Sequence, residues 1–306
     1  MKFLSLLAVL VLEQVQPLRR DNNLLLAFDR YAGFLEGQFD GGEARHGVIA
    51  WVLAVVPVVV ATAVTHRLLH GLNPFAGLLW SIAVLYVAMG FRQFSHDYGE
   101  IQQALQAGDL AAARERLGKW SGESAAEFSA GEVARVAIEQ GLLASHRHVF
   151  GTIAWFLALG PAGAVLYRAS TVLVDKWSVR AAQRPGEFGR FAGRAFYWLD
   201  WVLVRLSAVS FGIVGDFEDA IYCWRTQSGA WEPRSHGILL AAGGGALGVR
   251  LGDTLHQYGS LSYRPAMGMG EDVDADTMTS AVGLVWRSLV LWMFVVLLVT
   301  VAHVLG

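Results

Sequence analysis

Apolar residues in this chain come in long blocks rather than in alternation with polar ones. Residues 47–65 read GVIAWVLAVVPVVVATAVT and residues 74–91 read PFAGLLWSIAVLYVAMGF, with His66, Arg67, His70 and Asn73 in the short turn between them. Residues 149–167 form a third block, and SLVLWMFVVLLVTVAHVLG carries the chain to its last residue. A helix of roughly 20 apolar residues crosses a bilayer, so these windows predict membrane helices, the first two as a hairpin. A weaker window, 195–215, holds Asp200 and Arg205 inside it. The pattern predicts four or five membrane helices, one of them broken at Gly160, Pro161 and Gly163. At the start, MKFLSLLAVLVL resembles a signal-peptide core, but the EQVQPLRR that follows offers no small-residue cleavage site, which predicts a retained helix.

Between residues 94 and 148 the pattern changes. Ala104, Leu105, Leu110, Ala113 and Leu117 recur at three to four residues, and Val133, Val136, Ala137 and Ile138 resume after a Ser/Gly-rich gap. This predicts an extramembrane helical insertion within one integral membrane domain spanning 1–306. Lys176, Arg180, Arg184, Arg190 and Arg194 mark a short basic loop, and residues 251–280 turn Gly-rich and then acidic. No run alternates cleanly enough to predict a strand. The expected fold class is all-α: a polytopic membrane helical bundle.

Composition supports lipid as the solvent. Hydrophobic residues make up 54% of the 306 and charged residues 16%, against about 25% charged in soluble domains. The 24 Lys and Arg against 26 Asp and Glu form no basic stripe, which excludes nucleic acid as a partner. Cys223, the single cysteine, can form no internal disulfide and belongs to no Cys-x-x-Cys pair. Basic residues fall on loops of both alternating sets, so they do not fix the orientation. Interfacial-belt and core roles together account for most of the Trp residues in or near the apolar windows.

Broken helices are tolerated in lipid where they pack against other helices or line a wet cavity. The break before Tyr167 and Arg168 therefore predicts either close packing of small residues or a site at which Arg168 holds an anionic group. The stretch LLAAGGGALGVRLGD lacks the Gly-Lys-Ser/Thr ending of a nucleotide loop. Gly244, Gly245 and Gly248 read as a tightly packed helix or as backbone donors to an anion, with Arg250 as the charged partner. Asp200 and Arg205 are five apart on a helix and diverge, so each should meet another element. A structural ion pair, a ligand site and a non-spanning interfacial helix all remain open for them. His146 and His148 are badly spaced for one metal and flank Arg147, which predicts an interface or solvated role. In GEDVDADTM the calcium-loop glycine and glutamate are missing, leaving Asp274 or Asp276 as the cap of the last helix.

ALQAGDLAAARERL, EVARVAIE, GPAGAVLYRAS, GALGVRLGD and QYGSLSYRP, in that order, resemble the CobD/CbiB family of integral membrane proteins over roughly residues 100–290. The resemblance implies a protein of the bacterial inner membrane that attaches aminopropanol, or its phosphate, to a corrinoid carboxylate of cobyric acid. ATP and Mg²⁺ are implied by that resemblance alone; no metal site is readable from the residues. In this reading Tyr167, Arg168, Arg205 and Arg250, with Gly244, Gly245 and Gly248, bind anionic groups, while Glu123, Glu139, Asp200 and Asp253 are the candidate catalytic carboxylates. Besides lipid, the expected partners are a second copy of the chain or another membrane protein. Several positions depart from the family pattern. Thr171 and Val174 stand at its Asn and Asp, with Asp175 one place late, and Phe196 and Tyr197 stand at paired aspartates. This thinning, with YWLDWVLVRL, resembles the AmpE branch. The alternative is thus a non-catalytic membrane sensor or modulator of β-lactamase induction.

Overall fold

The computed structural model describes residues 2–15, 23–39, 44–183 and 188–305. They are almost wholly helical. In chain order the helices are α1 (Lys2–Val15), α2 (Asn23–Phe39), α3 (Ala44–Leu72), α4 (Pro74–Ala88), α5 (Phe91–Gln106), α6 (Leu110–Ser121), α7 (Ala130–Ser145), α8 (Gly151–Leu159), α9 (Pro161–Gln183), α10 (Phe188–Val214), α11 (Phe217–Gln227), α12 (Arg234–Leu247) and α13 (Ala275–Leu305). A π-helical turn, His146–Phe150, joins α7 to α8. Two antiparallel strand pairs lie between α12 and α13: β1 (Arg250–Leu251) with β4 (Met267–Gly268), and β2 (Leu255–Gln257) with β3 (Ser260–Ser262). At two or three residues each they are too short for alternation to reveal.

The chain divides into two compact units. The first comprises residues 1–93 and 147–203, the second residues 94–146 and 204–306. The expected insertion therefore shares its unit with the C-terminal third.

Three helices among the described residues are long and apolar enough to cross a membrane, within α3, α10 and α13; α4 is apolar but shorter. The weak window at 195–215 is thus part of a helix of spanning length, despite Asp200 and Arg205. Lipid is the natural solvent for their outer faces: Val52, Val56, Val60 and Val64 on α3, and Val290, Phe294, Leu298 and Val299 on α13, are exposed. The fold is an all-α membrane bundle.

In the first unit the core gathers Leu35, Val55, Leu173, Trp177 and Phe188. Asn73 caps α4 by accepting from the Phe75 N–H at 2.8 Å, and Pro74 opens the helix where no N–H is needed. The block 149–167, expected as one broken crossing, is a reversal. Gly160 leaves α8 at φ +68°, Pro161 starts α9, and α9 folds back along α8. A Cβ on Gly163 would strike the Trp155 carbonyl, and one on Gly151 would strike the Tyr167 ring. The glycines are what let the two helices touch. Hydropathy averages over such a turn because both arms are apolar.

The described parts of the basic stretch 176–194, expected as a loop, are helical. α9 continues to Gln183 and α10 begins at Phe188, so Lys176, Arg190 and Arg194 lie on helices, while Arg184 falls outside the described residues. Lys176 bridges to Asp29 of α2 at 2.6 Å, an ion pair that charge counting along the sequence does not anticipate.

In the second unit, α12 is wrapped closely. Gly243, Gly244 and Gly245 are buried inside it. A Cβ on Gly245 would collide with the Asp219 backbone of α11, and one on Gly244 would press on Gly268 of β4. Gly248 ends the helix at φ +69°. Asp274 caps α13 by accepting from the Thr277 N–H at 2.8 Å. Tyr98 of α5 donates to the Met278 carbonyl at 2.8 Å, fastening α5 to α13.

Candidate functional site

Among the described residues, a polar cluster forms in each unit. In the second, the loop after β1 lies against α7. Glu139, buried on α7, accepts the Gly252 N–H through Oε1 at 2.7 Å. Arg264 grips the same carboxylate with both terminal nitrogens, Nη1 to Oε2 at 2.7 Å and Nη2 to Oε1 at 3.1 Å. A planar guanidinium matches a carboxylate in this bidentate way, which fixes direction as well as charge. Arg264 also donates to the Gly252 and Asp253 carbonyls and lies over the Trp231 ring, 5.4 Å from its centroid. One turn earlier on α7, Arg135 donates to the Gly252 carbonyl at 3.0 Å and sits 3.5 Å from Asp253 Oδ2.

The loop conformation requires its residues. Gly252 has φ +71°, and a Cβ there would meet the Pro265 carbonyl. Asp253 follows at φ +64°, a region that L residues other than Asn and Asp seldom enter. Its carboxylate accepts the next N–H, that of Thr254, at 2.7 Å, yet stays half exposed. Glu139 is thus fully engaged in holding the loop, while the Asp253 carboxylate stays half exposed beside Arg135.

Glu132, at the start of the same helix, extends the cluster. It forms a capping box with Ser129 and accepts the backbone N–H of His256 at 2.9 Å, with the His256 ring Nδ1 also 2.9 Å away. Burial works against its charge, but the Ser129 and His256 donors outweigh burial and bring its pKa down to about 2.

In the first unit the α8–α9 reversal returns Tyr167 and Arg168 to the π turn. The Tyr167 hydroxyl donates to Asp200 Oδ1 at 2.7 Å, and both residues are buried. Arg168 Nη1 is 2.8 Å from His148 Nδ1, and Arg147 donates to Asp175 Oδ1 at 2.8 Å while its guanidinium stands 5.6 Å from the Phe196 ring centroid. Two arginines, two aspartates, a tyrosine and a histidine thus meet within one unit.

The expected residues are distributed accordingly. Tyr167, Arg168 and Asp200 come together in the first cluster. Glu139 and Asp253 come together in the second, with Gly244, Gly245 and Gly248 in the helix leading to it. The amides of Gly244 and Gly245 lie in the interior of α12, where the helix's own bonds use them, so these glycines supply close approach. Arg250, on β1, is paired with exposed Asp272 at 2.8 Å. Arg205 is half-buried on the part of α10 that belongs to the second unit. Glu123 is exposed between α6 and α7, in a shallow hollow it shares with Arg114 and Lys119.

The histidines depart from expectation. His146 is buried with Nδ1 2.9 Å from Ser207 Oγ, and partly buried His148 meets Arg168, both within the π turn. Sequence reasoning passed over Arg135, Arg264, Glu132 and His256. EVARVAIE and QYGSLSYRP contained the first two, but nothing in the spacing said that Arg264 answers Glu139 across 125 residues.

Among the described residues no three His, Cys, Asp or Glu side chains group as a metal cage. Mg²⁺ carried by nucleotide phosphates needs only one or two carboxylates from the protein, and the half-exposed Asp253 carboxylate fits that need.

Comparison with known proteins gives one consistent result. A family model described as CobD/Cbib protein matches residues 22–285. A cobalamin biosynthesis protein CobD of Stutzerimonas stutzeri is 36% identical over 299 residues, covering 96% of this chain and 97% of its own length. One of Chromobacterium violaceum is 35% identical over 246 residues, 80% of this chain and 77% of its own. Another, from Mycobacterium tuberculosis strain CDC 1551 / Oshkosh, is 26% identical and covers 70% of this chain and 71% of its own. No solved structure matches. Nothing in these comparisons supports the AmpE-like alternative.

Proposed function

The chain belongs to the CobD/CbiB family of cobalamin biosynthesis proteins, and from that premise we propose that it joins aminopropanol or its phosphate to a carboxylate of cobyric acid, in an ATP-dependent amide ligation. The observation that carries this reading is the clamp of Glu139, Arg264 and Gly252, which holds Asp253 and Arg135 side by side at the edge of a buried network. An amide ligase must neutralise phosphate charge and orient an amine against an activated carboxyl.

In this reading Arg135 binds a phosphate of the nucleotide or of the aminopropanol arm. ATP converts one carboxylate oxygen into a leaving group; the amine nitrogen then forms the C–N bond as that C–O bond breaks, and loses a proton. Asp253 is the residue to receive that proton or to meet nucleotide-borne Mg²⁺. Glu139 and Arg264 are positioning residues, since their charges are spent on each other and on the loop. In the first unit Tyr167 and Arg168 remain proposed anion contacts, and Asp200, which holds the Tyr167 hydroxyl, a proposed catalytic carboxylate, on the family resemblance. Glu123, Arg205 and Arg250 remain proposed contacts, on the family resemblance. The protein is proposed to act as a multi-pass protein of the bacterial inner membrane.

The test is genetic and chemical. A strain deleted for its own family member should accumulate cobyric acid and lack cobinamides. Expression of this chain should restore cobinamides, and Asp253→Ala at equal membrane abundance should not. Restoration by Asp253→Ala equal to that of the unaltered chain would remove the site from the reaction.

A further inference from the structure

The first unit contains a cavity of about 470 Å³ bounded by α2, α3, α4 and α9, within the range of roughly 300–1,000 Å³ that ligand sites occupy. Its walls are apolar, with Phe28, Val84, Val87 and Val172 among them. Of the polar groups on the lining, the Tyr31 and Thr62 hydroxyls donate to the Leu53 and Val58 carbonyls, and two others are left over. Trp80 Nε1 and Arg168 Nε are both buried and find no acceptor among the described residues. Buried donors without partners are costly, and native proteins rarely leave them so unless something else supplies the acceptor. A tryptophan and an arginine with idle donors on one cavity point to a ligand that brings oxygen atoms with it.

The cavity's rim identifies the rest of the ligand. Leu24 and Val58 line it and are also exposed, at 65% and 36%. Val58 lies midway along α3, a helix of membrane-spanning length, on the side away from its outward valine stripe, so the opening sits at the depth of the hydrocarbon. A water-soluble metabolite would have to cross that apolar rim, whereas a lipid already lies beside it. We propose that this cavity takes one acyl chain of an anionic membrane phospholipid, whose phosphate or ester oxygens accept from Arg168 and Trp80. A guanidinium has five donors; Arg168 directs one at His148 and keeps Nε for the lipid. The proposal goes beyond the ligation chemistry, and an active protein that holds no lipid would contradict it alone.

The experiment is native mass spectrometry of the full chain, extracted in mild detergent and offered phosphatidylglycerol or phosphatidylcholine. One phosphatidylglycerol per chain should persist through detergent exchange, and phosphatidylcholine should dissociate more readily. Ala83→Trp fills the cavity from an exposed lining position and should abolish retention; Val87→Phe serves if that variant does not elute as a folded species. Val299→Trp, on the outward face of α13, should retain the lipid as the unaltered chain does. Arg168→Gln should weaken phosphatidylglycerol binding about tenfold, as for one lost charge-assisted hydrogen bond, and erase the preference. Equal retention in the cavity-filled variant, no headgroup preference, or equally strong adducts with glycerol phosphate alone would each overturn the proposal.

Discussion

The Tyr167 hydroxyl donates to Asp200 Oδ1 at 2.7 Å across the α9–α10 contact, with both side chains buried. Tyr167 also fills the space that Gly151 leaves open. Tyr167→Phe should keep that packing while removing a donor to a buried carboxylate. It should lower stability by about 1–3 kcal/mol, read as the unfolding midpoint of the detergent-solubilised protein. Asp200→Asn, which keeps an acceptor oxygen, should cost less than Asp200→Ala.

The Glu139–Arg264 pair offers a sharper contrast. Removing one partner of a buried ion pair strands the other, at a cost of about 3–5 kcal/mol. Glu139→Ala should therefore unfold the 250–268 region, with proteolysis appearing near Gly252. Arg264→Lys retains the charge but not the two-pronged geometry, and should loosen the loop without unfolding α7.

Glycine positions separate steric need from composition. Gly252→Ala forces a side chain into positive φ against the Pro265 carbonyl, and should destabilise by more than about 1 kcal/mol. Gly245→Ala should also destabilise, by about 1–3 kcal/mol, because the methyl overpacks against Asp219. Gly283→Ala meets no atom within 4 Å and should be neutral or stabilising in its helix. Thermal unfolding of the three variants side by side checks the order.

Acid stability should depend on Glu132. Its folded pKa of about 2 lies below the ordinary 4.5, so between those values the unfolded chain binds the extra proton. The contribution is complete above about pH 4.5 and is lost as pH falls toward 2. Glu132→Gln should flatten that part of the profile of unfolding midpoint against pH while destabilising the protein at neutral pH. An unchanged slope between pH 2 and 4.5 would count against the assignment.

The long apolar blocks were legible because a spanning helix leaves no choice of composition: α3 and α13 lie where hydropathy puts them. The α8–α9 reversal was not, since Gly160 and Pro161 can kink a helix or turn it back, and only the seat of Tyr167 on Gly151 distinguishes the two. Lys176 read as part of a basic loop because charge suggested water, yet it lies on α9 and points at Asp29. In the site, Glu139 and Asp253 stood out through the family resemblance. Arg264 did not, because a partner across 125 residues leaves no trace in local spacing. The short strands around Gly252 left no pattern long enough to read.

The proposed ligation rests on the Asp253–Arg135 edge that Glu139 and Arg264 hold. The most direct measurement is turnover by purified chain in liposomes with cobyric acid, ¹⁵N-labelled aminopropanol phosphate, ATP and Mg²⁺, followed by mass spectrometry of the corrinoid. A cobinamide product carrying the label should form in an ATP-dependent way, and should be lost in Asp253→Ala while Gly283→Ala turns over normally. Folded protein that neither consumes ATP nor incorporates label, or Asp253→Ala that matches the unaltered chain, would contradict it.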